Sequence, residues 1–328
     1  MKTRNIKTRY TVKLLLTLFC IFFCLFAGCG SDKKEGLTVQ GYTVTDDFGY
    51  TLRFSEKPKK IIGTTTNIEE VLIELIGPQR MAAISESSLN QDYSLIADKA
   101  SKVKNRIPDR ASMETIIAQH PDLVFMQIKN NQAMADTLTE MGIRVFRMET
   151  PVTLDMVRNR IHKMSVAVGE PEQGDAMLRE LDAKIAAVKK HTDTIPKEKR
   201  KKVIGFSSLG ASGSASGLFH HICEESGVIN GGAAAGIVYA AKISDEQIIK
   251  VDPDIFIVTD EGPENEFGKA TIRKILADEA LKDVKAVKEK RFIILKARYR
   301  IANSQHFGDA VTAVAKGAYP ELFASDKK

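Results

Sequence analysis

Short apolar runs alternate with longer amphipathic segments along most of the chain, and their periods predict strands and helices in turn. Residues 41–54, GYTVTDDFGYTLRF, alternate apolar and polar positions on either side of a DDFG turn, which predicts a β-hairpin. KKIIGTTT then predicts a buried strand. The following NIEEVLIELIG predicts a helix capped by Asn67 and terminated at Gly77.

The same alternation continues through the first half and resumes after residue 200. The first half then predicts strand RMAAISE, a short helix capped by Ser112, strand DLVFMQ, a helix ending at Gly142 and strand IRVFRM. The second half predicts strand KKVIGFSS, helices near 216–226 and 244–251, strand DIFIV, a helix near 270–277, strand RFIIL and a last helix near 304–318. Strands alternating with helices indicate parallel sheets that carry helices on their faces.

One phrase occurs twice. Residues 113–126 read METIIAQHPDLVFM and residues 245–258 read DEQIIKVDPDIFIV, so each has Glu-x-Ile-Ile followed by Pro-Asp and an apolar run. The repeat predicts two related lobes. In each copy the proline is expected to end a helix and the aspartate to begin a buried strand. The glutamates also suit the first turn of a helix, where a carboxylate meets the positive end of the dipole.

A different pattern separates the halves. After Pro171, the stretch EQGDAMLRELDAKIAAVKKH places apolar residues at helical spacing and charges on the other face, which predicts one long connecting helix. Twenty residues of helix span roughly 30 Å, so this element is a stiff connector. The predicted organisation is a signal peptide (1–28), a tether (29–40), an N-terminal lobe (41–169), the connecting helix (170–199) and a C-terminal lobe (200–328).

The N-terminus has the organisation of an export signal. A basic head precedes the 15 apolar residues LLLTLFCIFFCLFAG, a run shorter than the roughly 20 residues that a membrane-spanning helix needs. The run ends in FAGCG, which resembles the lipobox of bacterial lipoproteins and implies lipidation of Cys29, although Phe26 stands where Leu is usual. The alternatives are an ordinary cleaved signal and, less favoured, a retained anchor.

Composition narrows the function classes. The signal holds five basic residues and no acidic one, so most of the net charge of +6 leaves with it and nothing indicates nucleic acid as a partner. Only Cys223 remains of the cysteines once the signal and Cys29 are set aside, which excludes an internal disulfide and cysteine-pair metal sites.

Together these segments resemble the substrate-binding lipoproteins of ABC importers, in the group whose two lobes are joined by one rigid helix. The resemblance covers about 41–324 and rests on the order of the hairpin, KKIIGTTTNIEEVLIELIG, both repeated phrases, the connecting helix and AYPELF. It implies two Rossmann-like α/β lobes in the periplasmic-binding-protein fold of the helical-backbone type. It also implies a monomeric, non-enzymatic protein, outside the cytoplasm and held to the membrane only by lipid.

The resemblance further implies the partners. Family members carry a rim glutamate on each lobe that pairs with arginines of a permease dimer, which works with a cytoplasmic ATPase. These glutamates correspond to Glu114 and Glu246. The group includes siderophore, cobalamin and haem binders, and Arg106 and Arg110 lie in the loop where the family places ligand contacts.

Ligands gather at the carboxyl ends of parallel strands, which indicates further candidate contacts. These are Thr65 and Asn67 in the first lobe, with Ser208, Tyr239, Arg298, Tyr299 and Arg300 in the second. Paired arginines offer forks for carboxylate, catecholate or hydroxamate oxygens. Because the chain has no Trp and few aromatic residues, the expected cargo is a ferric chelate of the iron–siderophore type, with cobalamin or haem as alternatives.

Other classes fit less well. GASGSASG at 210–217 lacks the register of a nucleophile elbow and the lysine of a P-loop, so a lipid-anchored hydrolase has no assembled site. No spacing indicates a bare metal site. Haem would need an axial residue, for which Tyr239, Tyr299 and His306 are candidates, although His306 is expected to begin the last helix. A sensor or adhesion lipoprotein with the same fold remains an alternative.

Overall fold

Two separate parallel sheets, one in each half of the chain, form the framework of the protein in a computed structural model. The structure describes residues 41–129, 131–207, 210–239, 242–260, 266–300 and 302–327. The expected signal peptide, tether, lipidation at Cys29 and ligand contact at Ser208 lie outside these residues. The two-lobed α/β fold class is confirmed, whereas the domain boundaries stay a prediction, since residues 41–328 form one compact unit.

The first lobe alternates strands and helices as its sequence predicts. Its elements are β1 (Tyr42–Thr45), β2 (Thr51–Phe54), β3 (Ile61–Gly63), α1 (Thr66–Ile76), β4 (Ile84–Ser85), α2 (Ala97–Ala100), β5 (Arg106–Ile107), α3 (Met113–Ile117), β6 (Leu123–Gln127), α4 (Gln132–Glu140), β7 (Arg144–Met148) and α5 (Leu154–Ala167). β1 and β2 form the predicted antiparallel hairpin. The parallel sheet has the order β3-β6-β7, and β4 pairs with β5 beside it.

The second lobe follows the connecting helix α6 (Pro171–Thr192). Its elements are β8 (Lys202–Ser207), β9 (Gly210–Ser212), α7 (Leu218–Glu225), β10 (Ile229–Asn230), α8 (Gly231–Ala234), α9 (Asp245–Val251), β11 (Ile255–Asp260), α10 (Glu266–Leu276), α11 (Lys285–Lys288), β12 (Phe292–Lys296), α12 (Ala297–Arg300) and α13 (Phe307–Ala318). The parallel order is β10-β8-β11-β12, with β9 antiparallel to β8. Short 3-10 helices lie at Pro78–Arg80, Glu86–Leu89, Lys197–Lys199 and Pro320–Lys327.

The repeated phrase forms the same local structure in both lobes. Ser112 caps α3 and Ser244 caps α9, each accepting a hydrogen bond from the backbone three residues on. The aspartate after each proline binds the start of the neighbouring strand. Asp122 accepts from the Lys59 and Lys60 amides at 2.7 and 3.1 Å, and Asp254 accepts from the Lys202 amide at 2.8 Å. Each Pro-Asp pair therefore sets where the strand after the helix enters its sheet.

The connecting helix α6 packs against both lobes through close helix crossings. A Cβ on Gly174 would lie 2.3 Å from the Ser165 Cβ of α5, and one on Gly308 of α13 would lie 2.9 Å from the Lys184 Cβ of α6. Buried Met177, Leu181, Ile185 and Val188 of α6 join a hydrophobic cluster that contains residues of both lobes. The helix is thus a packed wall of the molecule as well as a link.

One local prediction was wrong, and one long helix was not predicted. Asn67 was expected to cap α1, but the cap is Thr65, whose carbonyl accepts from the Ile68 and Glu69 amides, so Asn67 lies within the first turn. Helix α5 was not predicted, although Thr153 caps it and its apolar positions lie on its buried side. Among the described residues, no helix is long and apolar enough to span a bilayer.

Candidate ligand-binding site

The first lobe has a cavity of about 670 Å³ at the carboxyl edge of its sheet. The strand ends Gly63, Ser85 and Ile107 line it, together with the loop that leads to the α3 cap Ser112. The side-chain oxygens of Thr64 and Thr65, which also line it, are buried without a hydrogen-bond partner. Unpaired hydroxyls in a lined cavity are available to a ligand.

A second cavity, of about 500 Å³, lies between the lobes. The first lobe contributes residues 150–152, which follow β7. The second lobe contributes the end of β8, all of β9, and Leu218 and Phe219 at the start of α7. Its size and mixed lining are those of a small-molecule site.

Positive side chains line both cavities. Lys242 and Arg300 line the interlobe cavity and lie along β9: Lys242 covers Gly210, and Arg300 Nη2 donates to Ser212 Oγ at 3.2 Å. Arg110 lines the first-lobe cavity beside Asp109, and within the described part of the chain Arg110 makes no hydrogen bond or ion pair. The Asp109 carboxylate is occupied by the Ser87 amide and hydroxyl.

The structure brings together only part of the predicted set. Thr65, Arg110 and Arg300 line the cavities, whereas Asn67 lines neither. The Arg106 guanidinium folds back onto the carbonyl oxygens of residues 101, 103 and 105, so its donors point to its own turn. These assignments as ligand contacts stay predictions.

Arg298 and Tyr299 have structural roles in this arrangement. The Arg298 amide donates to the Asp92 carbonyl at 3.3 Å, and its guanidinium donates to the Gln91 carbonyl at 2.5 Å across the lobes. Tyr299 packs against the hydrophobic cluster shared by both lobes. Neither residue lines the two cavities described above.

A charged bridge lies beside that contact. Lys296 Nζ, at the end of β12, lies 3.0 Å from Asp92 Oδ1 of the first lobe and 2.8 Å from the fully buried Asp260. We call Gln91, Asp92, Lys296 and Arg298 the interlobe clasp. Sequence reasoning missed Lys296, because its partners are distant along the chain.

Tyr239 does not line the interlobe cavity, but it follows a segment that is hydrogen-bonded to the loop beside that cavity. Its side chain is 77% exposed and follows Val238, which is 54% exposed. The preceding backbone is fixed, since the carbonyls of Ile237 and Val238 accept from the amides of residues 215 and 216 in the cavity-lining loop. Two exposed large side chains on a fixed backbone, one aliphatic and one phenolic, suit contact with a large ligand or a partner.

With the geometry in place, comparison with known proteins decides the family. The sequence pattern of the family described as "Periplasmic binding protein" matches residues 61–299. The chain belongs to that family. As a periplasmic binding protein it is a substrate-binding component of an ABC transporter, a class of transport proteins and not of enzymes.

Individual relatives of this periplasmic binding protein are distant. "Uncharacterized ABC transporter substrate-binding lipoprotein YvrC" of Bacillus subtilis (strain 168) is 22% identical over 310 residues, covering 91% of this chain and 94% of the relative. A periplasmic binding protein from Veillonella parvula superposes with a TM-score of 0.74 at 20% identity, covering 85% of this chain and 98% of its own. The heme-binding protein RhuT of Roseiflexus sp. RS-1 gives 0.68 at 21%, covering 80% and 99%. At these identities the structures establish the fold.

Glu114 and Glu246 occupy equivalent places on the two lobes of the periplasmic binding protein. Each is exposed at the second position of its helix, two residues after the capping serine. The capping serine and the helix-start amide lower the pKa of both carboxyls. Both therefore carry full negative charge at neutral pH.

Two buried glutamates of α1 were missed by the sequence reasoning. Glu69 is fully buried and binds Ser85 and Ser88, and burial raises its pKa to about 7. Glu70 is 1% exposed, accepts from Ser304 Oγ of the second lobe at 2.6 Å, and has a pKa raised by burial. The sequence contained a sign of this role. Two adjacent glutamates among the apolar residues of a helix are expected to be buried, and a buried carboxyl group needs hydrogen-bond partners.

In the described ranges, no three His, Cys, Asp or Glu side chains converge as a metal site. His306 precedes α13 as its N-cap residue, in agreement with the expectation that it begins the last helix. Its Nδ1 lies 2.8 Å from Asp309, and it lines a different cavity beside α6. His306 therefore lines neither of the two cavities described above.

Proposed function

We propose that this protein binds an anionic metal chelate, of the iron–siderophore type, between its lobes and delivers it to a membrane permease. The observation that carries the proposal is that the two sides of the interlobe cavity differ in chemistry. Lys242 and Arg300 supply positive charge from the second lobe, whereas Pro151 and Val152 supply an apolar surface from the first.

Electrostatics favour this cargo. Catecholate and hydroxamate chelates present oxygen atoms on an organic frame, and a guanidinium binds such oxygens with directed hydrogen bonds. Arg110 adds a third cation at the first-lobe cavity, next to the unpaired Thr64 and Thr65 hydroxyls. The first-lobe cavity is therefore included in the proposed site as a second contact region.

Haem is the second candidate. The exposed phenol of Tyr239, which follows a segment bonded to the loop beside the interlobe cavity, suits an axial iron ligand, and apolar Val238 precedes it. The structurally similar RhuT of Roseiflexus sp. RS-1 is named a heme-binding protein. Tyr299 is the weaker axial candidate, because it packs in the core cluster.

Equilibrium binding of four probes tests the ligand class: a ferric tris-catecholate, a ferric tris-hydroxamate, haemin and cyanocobalamin. We expect a ferric chelate to bind and the double variant Lys242→Ala/Arg300→Ala to weaken it at least tenfold, because truncating one side of a buried charged contact typically costs 2–5 kcal/mol or about 30-fold or more. Lys250→Ala on the exposed side of α9 is the control. If haemin is the only probe that binds, and Tyr239→Phe abolishes its binding, the cargo is haem and not a ferric chelate.

Docking is proposed to use Glu114 and Glu246. One carboxylate on each lobe, at the start of equivalent helices, suits two related positive sites on a permease dimer that is coupled to a cytoplasmic ATPase. Exposed charges of this kind set orientation and encounter rate. Replacing both by Ala should abolish uptake and leave ligand affinity unchanged, with Glu140→Ala/Glu279→Ala as control. Unchanged uptake would refute the docking assignment.

The location is proposed to be extracytoplasmic, with lipid on Cys29 as the anchor. The FAGCG segment supports this, and the related YvrC is named a lipoprotein. Fractionation of a Cys29→Ser variant tests it. The protein should leave the membrane fraction, and membrane association that persists would contradict the anchor.

A further inference from the structure

The wall of the first-lobe cavity includes a turn held by a buried carboxyl group. Residues 85–88, the serine turn, contain Ser85, which lines the cavity. Glu69 Oε1 accepts from the Ser85 amide at 2.8 Å, and Oε2 accepts from the hydroxyls of Ser85 and Ser88, both at 2.5 Å. The Glu69 side chain is fully buried, so these bonds replace its hydration.

A second carboxylate holds the same turn from the cavity side. Asp109, which lines the cavity, accepts from the Ser87 amide at 2.8 Å and from the Ser87 hydroxyl at 2.6 Å. The turn therefore has one carboxyl group beneath it and one in front of it. Arg110, the cation that follows Asp109 in the chain, lines the same cavity.

We propose that Glu69 is a positioning residue for the ligand site, which fixes the serine turn as a wall of the first-lobe cavity and loosens that wall as pH rises through neutrality. The inference rests on the proposed function, in which this cavity contacts the ligand. Glu69 itself lies beneath the wall, so it acts through Ser85 and Ser88.

The direction of the pH effect follows from linkage. Burial raises the pKa of Glu69 to about 7 from an ordinary value of 4.5, so the closed wall binds a proton more tightly than an opened, hydrated one. Acid therefore favours the closed wall. As pH rises through 7, ionisation of Glu69 favours opening, because the carboxylate gains water.

Other charged groups near α1 have partners of their own. Asp109 raises the pKa of Glu69 further, and Glu86, within the turn, is exposed. Glu70, on the same helix, accepts a hydrogen bond from Ser304. His306 lowers the pKa of Glu70, against the larger effect of burial. Arg80, in the 3-10 helix that follows α1, forms a salt bridge with Glu170 at 2.7 Å. Arg160 of α5 donates to carbonyls at 149 and 303.

Amide hydrogen exchange of the peptide 84–90 tests the inference without any ligand. Rates between pH 5.5 and 8.5, corrected for intrinsic exchange, should show the wild-type turn opening about ten- to thirtyfold more at the alkaline end. Glu69→Gln, a neutral isostere, should stay protected at all pH values. Glu69→Ala should be unprotected throughout. Glu74→Gln, one turn on and more exposed, should keep the wild-type profile.

Two outcomes would overturn the proposal: a flat profile in wild type, or the same profile in Glu69→Gln. Should Glu69→Ala fail to fold, the comparison of wild type with Glu69→Gln decides alone. A second arm measures binding of the four probes used for the ligand class at both pH limits, where Glu69→Gln should remove the pH dependence of affinity. If no probe binds, the proposed cargo is refuted, whereas the exchange result still decides the role of Glu69.

Discussion

At the scale of single residues, the adjacent glutamates of α1 bind partners in different lobes. Glu69 binds within its own lobe, to Ser85 and Ser88, and Glu70 reaches Ser304 of the other lobe. Both are buried at the cost of a raised pKa. Burying a carboxyl group costs solvation free energy. A carboxyl group that is nevertheless buried indicates a role in arranging the site more than in stabilising the fold.

The pKa of Glu69 predicts a change in stability with pH. Its folded value of about 7 lies above the ordinary 4.5, so its contribution is present below pH 4.5 and is lost as pH rises through 7. Between pH 5.5 and 8.5 this amounts to about 2 kcal/mol of unfolding free energy. Urea unfolding of wild type and Glu69→Gln at both pH values measures it. An equal pH dependence in both proteins would contradict the assignment.

At the scale of elements, two glycines allow α6 to pack closely against α5 and α13. Gly174 meets Ser165, and Gly308 meets Lys184, at distances that exclude a Cβ without movement of the backbone. The hydrophobic pattern predicted α6 almost to its ends. It also contained α5, where Leu154, Val157 and Ile161 recur at helical spacing, but the charged residues between them obscured it.

Gly174→Ala tests the crossing of α5 and α6. Alanine favours a helix by about 1 kcal/mol over glycine, yet its Cβ would lie 2.3 Å from that of Ser165. We expect the clash to dominate, with a net loss of about 1–3 kcal/mol in urea unfolding. Arg179→Ala, on the exposed face of α6, should change little. A stabilised Gly174→Ala protein would show that the helices separate freely.

At the scale of the whole molecule, the sequence predicted the architecture more completely than the contents of the cleft. Periodicity and the repeated phrase depend on local chemistry, so they located two lobes and a connecting helix. Contacts between lobes join residues such as Asp92 and Lys296, which are far apart along the chain and leave no local pattern. For the same reason Arg298 was predicted as a ligand contact and forms part of the interlobe clasp.

The interlobe clasp predicts how the lobes are restrained. Asp92→Ala removes the Lys296 partner on the first lobe, whereas the bonds of Arg298 to the main-chain carbonyls of Gln91 and Asp92 stay. Because the pair is partly exposed, stability should fall by less than about 1 kcal/mol. The distance distribution between spin labels at Glu140→Cys and Glu279→Cys should broaden. Asp98→Ala serves as control, and an unchanged distribution would show that the clasp does not restrain the lobes.

The central claim is that the cavity between the lobes holds an anionic iron chelate. The most direct measurement is the visible spectrum and metal content of the protein purified from its native host grown with little iron. The account predicts a ferric charge-transfer band with about one iron per chain, lost together in Lys242→Ala/Arg300→Ala. A protein that carries a corrinoid, or that carries haem with its Soret band, would contradict it.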